Sequence, residues 1–368
     1  MPGRIVLFGA TGYTGELTAR ALLARGHRPV LAGRGRERLA ALAADLGGLE
    51  TQVADVEQPQ TVRALVERGD VLITTVGPFQ RHGRAALEAA VDAGAHYLDS
   101  TGEGPFIRAV FERHGRGARA AGSGVLTAFG YDWVPGNLAG ALALHEAGEQ
   151  ATAVDVGYFV PGGGGLDMSG GTRASAAGIA LEPAFAFRGG RLVTERPSAR
   201  VRRFELGDGR AAPGVSLGTS EAFGLPRVFP ELRDVGVYLG WFGAASRAMQ
   251  VLGVTTSVVG RVPGVRAALG RATGRLVPGS SGGPDAAQRA KVGSLVVAEA
   301  FSAAGTRLAA VRLQGVNAYD FTAGVLAWGA ERAAAGDLLE TGALGPVEAF
   351  GLEALEAGVA EAGISRSA

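Results

Sequence analysis

The chain has 368 residues, of which 47% are hydrophobic and 19% are charged, so it can bury a large core and lacks the composition of a disordered protein. Its 36 basic and 35 acidic residues leave a net charge of +1, which argues against electrostatic binding to nucleic acid. Because it contains no cysteine, disulfide bonds, thiolate zinc sites and cysteine nucleophiles are excluded.

The first 135 residues alternate between short apolar runs and segments of helical periodicity. The apolar runs predict strands at 4–8, 29–33, 52–55, 70–76, 96–99 and 124–129. The segments between them predict helices at 13–25, 36–46, 59–68, 83–93 and 105–121. Such alternation requires a parallel sheet with right-handed crossovers, so the sequence predicts an α/β, doubly wound Rossmann fold.

The pattern changes after about residue 136. We predict strands at 151–160 and 200–206, a hairpin over 184–195 that turns at Gly189-Gly190, and a second hairpin that joins 292–302 to 306–316 around Gly305. Helices are predicted at 231–277, 317–335 and 349–362. We therefore expect a Rossmann domain over 1–135, a mixed α+β substrate and dimerisation domain over 136–335, and a helical segment over 336–368 that can pack back on the Rossmann domain.

The most membrane-like stretch is 235–259, but Arg247 and Gln250 interrupt it and small residues dilute it. We expect a buried or interface helix of the second domain there, without membrane contact. Because the first strand begins at residue 4, we also expect no signal peptide. The lack of cysteine suits a cytoplasmic location, which we expect, together with a homodimer that forms through the second domain.

The sequence GATGYTG follows the first predicted strand and opens the first predicted helix. In this G-x-x-G-x-x-G spacing, Gly9 allows a tight turn, Gly12 lets a diphosphate approach the backbone, and Gly15 lets the helix pack close to the sheet. The alternative is a purely structural glycine turn. We predict a dinucleotide diphosphate site formed by Gly9, Thr11, Gly12, Tyr13, Thr14 and Gly15.

The second strand ends without the carboxylate that usually binds the ribose 2′-hydroxyl of NAD, and Arg34 stands there instead. A guanidinium group at this place can bind a 2′-phosphate through two hydrogen bonds, and Arg36 and Arg38 can assist, so we predict NADP(H). Since Lys291 is the only lysine, arginine is the default cation of this chain. The alternative is therefore that Arg34 stacks on adenine or faces water.

Two further loops are expected at the carboxyl ends of strands, where open α/β sheets bind ligands. Asp55 and Val56 follow the third strand, where they can contact adenine. The fourth strand ends in a segment that can pass close to the cofactor ribose, namely Thr75, Val76, Gly77 and Pro78. The alternative for each residue is a helix cap or a turn.

The candidate catalytic residues lie in the loops that follow the fifth and sixth strands. Glu103, Tyr131 and Asp132 can donate a proton or orient a substrate, since the hydride itself comes from the nicotinamide. The alternative is that each caps a helix or forms a buried hydrogen bond. Ser169–Thr172 can cover the nicotinamide, bind an anion or cap a helix. The five histidines show no metal-binding spacing, so we expect no metal.

Together, GATGYTG, AGR, DVLITTVGPFQRHG, AGAHYLDSTGE and FGYDWVPGNLA resemble the NADP-binding domain of the saccharopine dehydrogenase-like oxidoreductases. Within that family they are most similar to the branch of the trans-acting enoyl reductases. The resemblance covers about residues 4–145, with shorter similarities at 169–172 and 345–351, and it is faint between 185 and 315.

The resemblance implies an NADPH-dependent reductase that transfers hydride to a C=N or C=C bond of a small or acyl-chain substrate, with secondary metabolism as one setting. It implies the fold and the cofactor more firmly than the substrate, because the family is chemically diverse. Two alternatives remain open at this stage. One is a non-catalytic NADP(H) sensor or scaffold, and the other is a dehydratase or epimerase that uses bound cofactor without net turnover.

Overall fold

A computed structural model describes residues 3–161, 184–207, 209–241 and 282–367, together with Ser246 and Gln250. Its first sheet contains seven strands, β1 Ile5–Phe8, β2 Val30–Gly33, β3 Thr51–Val53, β4 Val71–Thr74, β5 His96–Asp99, β6 Gly124–Leu126 and β15 Gly342–Ala343. The sheet is parallel throughout, with strand order β15-β6-β5-β4-β1-β2-β3. This order confirms the predicted doubly wound sheet.

Helices connect these strands and bury apolar side chains against both faces of the sheet. They are α1 Tyr13–Ala24, α2 Arg36–Asp45, α3 Pro59–Arg63, α4 Phe79–Ala93, α5 Gly104–Ala109 and α6 Gly115–Ala121, with a π-helical turn at Val110–His114 that joins α5 to α6. All residues of β1 and β4 are buried, as expected for central parallel strands, and all but Thr74 are apolar.

The second sheet is mixed, with the order β10-β11-β12-β7-β13-β14-β16 and with β8 and β9 attached beside β12. Its strands are β7 Ala151–Phe159, β8 Ala184–Arg188, β9 Arg191–Glu195, β10 Val201–Gly207, β11 Arg210–Ser216, β12 Asp234–Leu239, β13 Ser294–Ser302, β14 Arg307–Gly315 and β16 Ile364–Arg366. Both hairpins are confirmed, since β8 pairs with β9 and β13 pairs with β14, and Gly189, Gly190 and Gly305 take the positive φ angles that their turns need.

The remaining helices connect or cover the two sheets. They are α7 Val134–Ala147, α8 Glu221–Val228, α9 Ala286–Arg289, α10 Ala318–Ala335, α11 Pro346–Phe350 and α12 Leu352–Glu361, with a 3-10 turn at Gly148–Gln150. α7 is buried from Val134 to Leu144 and packs against β7, β13 and β14. α10 packs against α1 and against the strands β1, β4 and β5. The last third of the chain therefore contributes to both sheets, and the domain boundaries near 135 and 335 stay a prediction.

The helix predicted over 231–277 is wrong where the structure describes it, because Asp234–Leu239 forms strand β12. This strand lies between β11 and β7, and its residues from Val235 to Tyr238 are buried. Periodicity alone cannot tell a short apolar strand from a helix, and here the pairing with β11 and β7 decides for the strand. No helix among the described residues meets the length and hydropathy needed to cross a bilayer. Most of 242–281 lies outside the described residues.

Helix α1 meets the end of β1 at a distance that only glycine permits. A Cβ placed on Gly15 would lie 2.2 Å from the Gly9 carbonyl oxygen and 2.9 Å from the Ala10 Cα, both of which are backbone atoms. The sequence predicted this role for Gly15, and the structure shows its steric cause. Gly117, in contrast, lies on the exposed side of α6, where an added Cβ would meet no atom of the described residues within 4 Å.

Gly15→Ala is expected to lower the free energy of unfolding by about 1–3 kcal/mol, since the added methyl group forces α1 away from the sheet. Gly117→Ala is the matched control, and it should stabilise the protein by about 0.5–1 kcal/mol through helix propensity. Thermal melts of the purified proteins measure both changes. If the Gly15→Ala protein has the same melting temperature as the unchanged protein, the close approach of α1 to the end of β1 is contradicted.

Candidate active site

The segment between β1 and α1 is a tight turn that both neighbouring strands hold in place. Gly9 has a φ of 90°, and its N–H donates to the Ala32 carbonyl of β2 at 2.9 Å. Its own carbonyl accepts hydrogen bonds from the Gly12 N–H at 2.9 Å and from the Thr75 hydroxyl at 3.2 Å. A Cβ on Gly9 would lie 2.7 Å from Thr75 Oγ1, so this turn needs glycine for its conformation and for its packing.

The N-terminus of α1 faces the same carboxyl edge of the first sheet. Gly12 is its N-cap, and no side chain caps the helix. A Cβ on Gly12 would meet one described atom within 4 Å, the Gly9 carbonyl oxygen at 3.2 Å, so the backbone here is open to a ligand. Uncapped N–H groups at the positive end of a helix suit an anion, and the chemistry of this turn therefore fits the diphosphate of a dinucleotide.

Thr11 and Thr14 lie within the turn between β1 and α1 and its first helical residues. The hydroxyl oxygen of Thr11 lies 3.9 Å from the position of a Cβ on Gly33, which places Thr11 beside the end of β2. Thr14 lies in the first turn of α1, and its carbonyl accepts the hydroxyl of Thr18 at 2.8 Å. Both residues can contact a diphosphate at the helix start, as the sequence predicted, and this role stays a prediction.

The side chain of Tyr13 is engaged with a distant part of the chain. Its hydroxyl donates to the Pro284 carbonyl and accepts a hydrogen bond from Arg289 Nη1 at 3.0 Å. Its ring packs edge-on against Tyr319, with 5.1 Å between the ring centroids. Only the backbone of Tyr13 is therefore free to take part in the predicted cofactor contact. Its side chain instead ties the glycine-rich turn to the residues that lead into β13.

The end of β2 presents the cation that the sequence predicted. Arg34 is exposed, and it has no hydrogen bond or ion pair within the described parts of the chain. Burial lowers the pKa of His82 on α4, and the positive charges of Arg81 and Arg34 lower it further. The effect of Arg34 indicates that it lies near His82. Arg36 and Arg38 are also exposed, in the first turn of α2. The guanidinium group of Arg34 is thus available to a phosphate.

Asp55 and Val56 follow β3 in a short loop. The Asp55 carboxylate accepts the Glu57 N–H at 3.0 Å, and the Asp55 N–H donates to the Thr61 hydroxyl at 2.9 Å. Val56 lines a cavity of about 420 Å³ between α3 and α4, which His82 also lines. The loop is thus ordered by its own hydrogen bonds. The role of both residues toward adenine stays a prediction.

The loop after β4 runs beside the glycine-rich turn. Thr75 donates its N–H to the Phe8 carbonyl at 2.9 Å, and the Val76 N–H donates to the Thr74 hydroxyl at 3.3 Å. The peptide bond between Gly77 and Pro78 is cis, and Pro78 is the N-cap of α4. The structure therefore brings this loop to the edge where the sequence predicted it.

Glu103 is a capping residue in this structure. One carboxylate oxygen accepts the Phe79 N–H at 2.8 Å and the other accepts the Gln80 N–H at 2.9 Å, so the two oxygens cap α4. This explains why α4 begins four residues before the predicted start at Gly83. The sequence predicted Glu103 as a proton donor, with capping as the alternative. Since both oxygens are bound to backbone N–H groups, we keep the alternative.

Tyr131 is enclosed by aromatic rings. The residue is 2% exposed, its hydroxyl lies 3.5 Å from the Phe159 carbonyl oxygen, and its ring packs edge-on against Tyr158 and Phe321. Burial raises the pKa of Tyr131 far above its ordinary value. A phenol in this setting fits the wall of a pocket better than it fits a proton donor.

Asp132 lies between β6 and α7, at the carboxyl edge of the first sheet. The residue is half-buried, and its Oδ1 atom is enclosed with no hydrogen-bond partner in the described residues. Its Oδ2 atom lies 2.9 Å from the position of a Cβ on Gly102, so the side chain is directed toward the loop after β5. Burial raises the pKa of Asp132 to about 7. A carboxyl group that holds its proton near neutral pH can serve as a general acid.

A second buried acid, Glu221, was missed by the sequence analysis. It is the first residue of α8, and its Oε1 accepts the Tyr158 hydroxyl at 2.7 Å. Burial raises the pKa of Glu221 to about 7, the hydroxyls of Thr219 and Tyr158 lower it, and the charge of Asp132 raises it. In the sequence, Thr219-Ser220-Glu221 is indistinguishable from an ordinary helix start, so no signal could have revealed this acid.

Asp99 was also missed as a structural element of the site. Its carboxylate accepts the N–H groups of Thr101 at 2.9 Å and Ala128 at 2.8 Å, and it accepts the Thr127 hydroxyl at 2.8 Å. These bonds join the loop after β5 to the loop after β6, which carries Asp132. The segment Ser169–Thr172, for which the sequence predicts a cover of the nicotinamide, an anion site or a helix cap, lies outside the described residues.

Comparison with known protein families agrees with this geometry. The model of the saccharopine dehydrogenase NADP-binding domain matches residues 5–124. The amino-terminal part of the chain is thus similar to a saccharopine dehydrogenase NADP-binding domain. This match confirms the predicted family resemblance and the predicted cofactor, NADP(H). The turn at Gly9–Gly15 and the exposed Arg34 both lie within the matched residues.

Among characterised relatives, the trans-acting enoyl reductase of Mycobacterium leprae is 42% identical over 140 residues, which cover 36% of this chain and 34% of the relative. The trans-acting enoyl reductase of Mycobacterium tuberculosis is 39% identical over 140 residues, with the same shares of the two chains. The match thus spans about a third of the length of each relative.

Among solved structures, apo saccharopine dehydrogenase (L-Glu forming) from Saccharomyces cerevisiae superposes with a TM-score of 0.61 and covers 99% of both chains at 13% identity. At this identity the likeness concerns the fold alone. It confirms the predicted fold, in which a parallel Rossmann sheet is accompanied by a second, mixed sheet.

If Arg34 binds the 2′-phosphate, Arg34→Ala should weaken NADPH binding about 10- to 100-fold, because one charge-assisted contact is lost. NADH affinity should change little. Calorimetric titration of both nucleotides measures the difference. Arg20→Ala is the control, since Arg20 pairs with Glu16 and Asp45 on the outer side of α1. Equal losses for NADPH and NADH would contradict the role of Arg34.

Asp132→Asn should raise the melting temperature more at pH 8 than at pH 5. Burial raises the pKa of Asp132 from 3.8 to about 7, so the stability that its protonated form contributes is lost as the pH rises from about 4 through about 7. Asparagine has no charge to lose. Thermal melts at the two pH values measure the effect, with the uncharged change Gly117→Ala as the control. A gain in melting temperature for Asp132→Asn that is independent of pH would contradict the raised pKa of Asp132.

Proposed function

We propose that the protein is an NADPH-dependent reductase that transfers hydride to a C=N or C=C bond of a small or acyl-chain substrate. The observation that carries the proposal is the Asp132 carboxyl group, whose enclosed Oδ1 atom has no partner in the described structure and which stands at the carboxyl edge of an NADP-binding sheet. When bound, NADPH supplies the hydride.

The protein's own residues supply the proton and the geometry. Asp132 donates its proton to the nitrogen or carbon atom next to the reduced carbon, and it is then reprotonated from solvent. Asp99 positions Asp132. The three hydrogen bonds of the Asp99 carboxylate fix the loop after β5, toward which Asp132 is directed, and the loop after β6, which carries Asp132. The rings of Tyr131 and Trp133, which are both 2% exposed, exclude water from this side of the carboxyl group.

The names of the relatives support reduction of a C=C bond, since both are trans-acting enoyl reductases. The match with them covers 36% of this chain, so the proposal includes both C=C and C=N bonds. A setting in secondary metabolism, a cytoplasmic location and a homodimer that forms through the second sheet are further predictions.

The test is NADPH oxidation against a panel of enoyl thioesters, enones, cyclic imines and oxo acids. With an accepted substrate, kcat/KM should fall as the pH rises above about 7, because the proton donor is then ionised. Asp132→Asn should lower kcat about 100-fold or more without changing NADPH affinity. Asp92→Asn, on the exposed side of α4, is the control and should leave kcat unchanged.

An unaffected rate in Asp132→Asn would remove Asp132 from the site. Tight NADPH binding with no oxidation against any acceptor would instead favour a sensor or scaffold that retains the NADP-binding domain. Product formation without NADPH consumption would favour a dehydratase or epimerase.

A further inference from the structure

The segment that leads into β13 crosses the first residue of α1. It comprises Gly283–Arg289, and we call it the strap. A Cβ on Gly283 would lie 2.8 Å from three atoms of the Tyr13 ring, so glycine is needed where the strap crosses that ring. Tyr319 of α10 packs edge-on against the same ring, with 5.1 Å between the ring centroids. The Tyr13 ring therefore contacts both the strap and α10.

Hydrogen bonds fasten the strap to the Tyr13 hydroxyl group. This hydroxyl donates to the Pro284 carbonyl, and Arg289 Nη1 donates to the Tyr13 hydroxyl at 3.0 Å and to the Pro284 carbonyl at 3.1 Å. Each of the three groups thus contacts the other two. From α10, the Asp320 carboxylate accepts the Nε–H of Arg289 at 2.7 Å, which fixes the guanidinium group in this place.

The strap is also ordered within itself and tied to the second sheet. Asp285 is the N-cap of α9, where its carboxylate accepts the Gln288 N–H at 2.8 Å and its own N–H donates to Gln288 Oε1 at 2.7 Å. Four residues beyond the strap, the Gly293 N–H donates to the Pro161 carbonyl at 3.4 Å, just after β7. The strap therefore connects the second sheet to the start of α1.

The residue that the strap holds is the first residue of the helix at the predicted diphosphate site. The first bond of the helical ladder in α1 runs from the Glu16 N–H to the Gly12 carbonyl at 2.9 Å. The N–H groups of Tyr13, Thr14 and Gly15 precede that ladder, and they are the donors that a diphosphate at this turn would use. Tyr13 thus offers its side chain to the strap and its backbone to the anion.

Two contacts that share one residue influence each other, because the first to form already restricts the motion that the second must restrict. We propose that Tyr13 is a positioning residue for the dinucleotide: the strap, acting through Tyr13, holds the start of α1 in the conformation that binds the diphosphate. A bound dinucleotide then holds the strap in place to the same degree, since coupling between two binding events is reciprocal.

The inference rests on the diphosphate site at the start of α1 and not on the reaction proposed above. Because NADPH and NADH have the same diphosphate, the strap strengthens the binding of both nucleotides by the same factor. Arg34, in contrast, is predicted to act on the 2′-phosphate, which NADH lacks. The two effects are therefore separable by comparing the two nucleotides.

The first test is calorimetric titration of the full-length Tyr13→Phe protein with NADPH and with NADH. Both affinities should fall by about fivefold or more, and by the same factor, because the hydroxyl that holds the strap is gone. Tyr238→Phe is the matched control, since it removes a hydroxyl group from a buried tyrosine of β12 in the second sheet, and it should leave both affinities unchanged. An unchanged affinity in Tyr13→Phe, or a loss confined to NADPH, would overturn the proposal.

A double-mutant cycle asks whether Tyr13 acts through the strap. Arg289→Gln should weaken both nucleotides about as much as Tyr13→Phe does, and the double variant should be no weaker than either single variant, because both changes break the same connection. Losses that simply multiply in the double variant would mean that Arg289 acts on the anion by its charge alone, and they would overturn the proposal.

Hydrogen exchange measured by mass spectrometry tests the reciprocal effect, and it needs no variant. Saturating NADPH should slow amide exchange at residues 285–290 of the unchanged protein by about twofold or more, and this slowing should disappear in Tyr13→Phe saturated with NADPH. Exchange that NADPH leaves unaltered in the unchanged protein would overturn the proposal. So would slowing that persists in Tyr13→Phe, since the nucleotide would then contact the strap directly.

The outcomes separate this inference from the proposed function. A protein that binds both nucleotides with the expected losses in Tyr13→Phe, but reduces no acceptor, would defeat the proposed function and leave the role of Tyr13 standing. Turnover with unchanged nucleotide affinity in Tyr13→Phe would do the reverse. A protein that binds neither nucleotide would overturn both.

Discussion

The contact between Gly15 of α1 and the Gly9 carbonyl is the constraint on which the rest of the structure depends. It brings the start of a helix against the end of the central strand with no side chain between them. The positive end of the helix dipole and its uncapped N–H groups therefore stand at the carboxyl edge of the sheet. Every other feature of the site, from Arg34 to Asp132, is arranged along that same edge.

The parts of the fold that follow from local pattern could be predicted from the sequence. Alternating apolar runs and helical segments predict the parallel sheet, because each strand must be buried on both faces. The glycine spacing and the absence of a carboxylate after β2 predict an NADP-binding turn, and the role of Arg34 toward the 2′-phosphate stays a prediction. These signals are local, and each lies within one strand, turn and helix.

The remainder depends on contacts between distant residues, and it could not be predicted. Residues 234–239 form a strand because β7 and β11 pair with them, although a short apolar run is equally compatible with a helix. Glu103 caps α4 because the loop after β5 passes the start of that helix. The hydrogen bond between the Tyr158 hydroxyl and Glu221 joins β7 to α8, and no spacing along the chain records it.

Tyr13 has a consequence for the organisation of the whole chain. Its hydroxyl bonds to Pro284 and Arg289, while β15 joins the edge of the first sheet and α10 covers one of its faces. The nucleotide-binding unit is thus built from both ends of the polypeptide, with the second sheet largely inserted between them. A fragment that stops at residue 135 would leave apolar surface of the first sheet uncovered and one sheet edge unpaired. During synthesis, this unit can reach its final form only after residues up to Ala343 have been made.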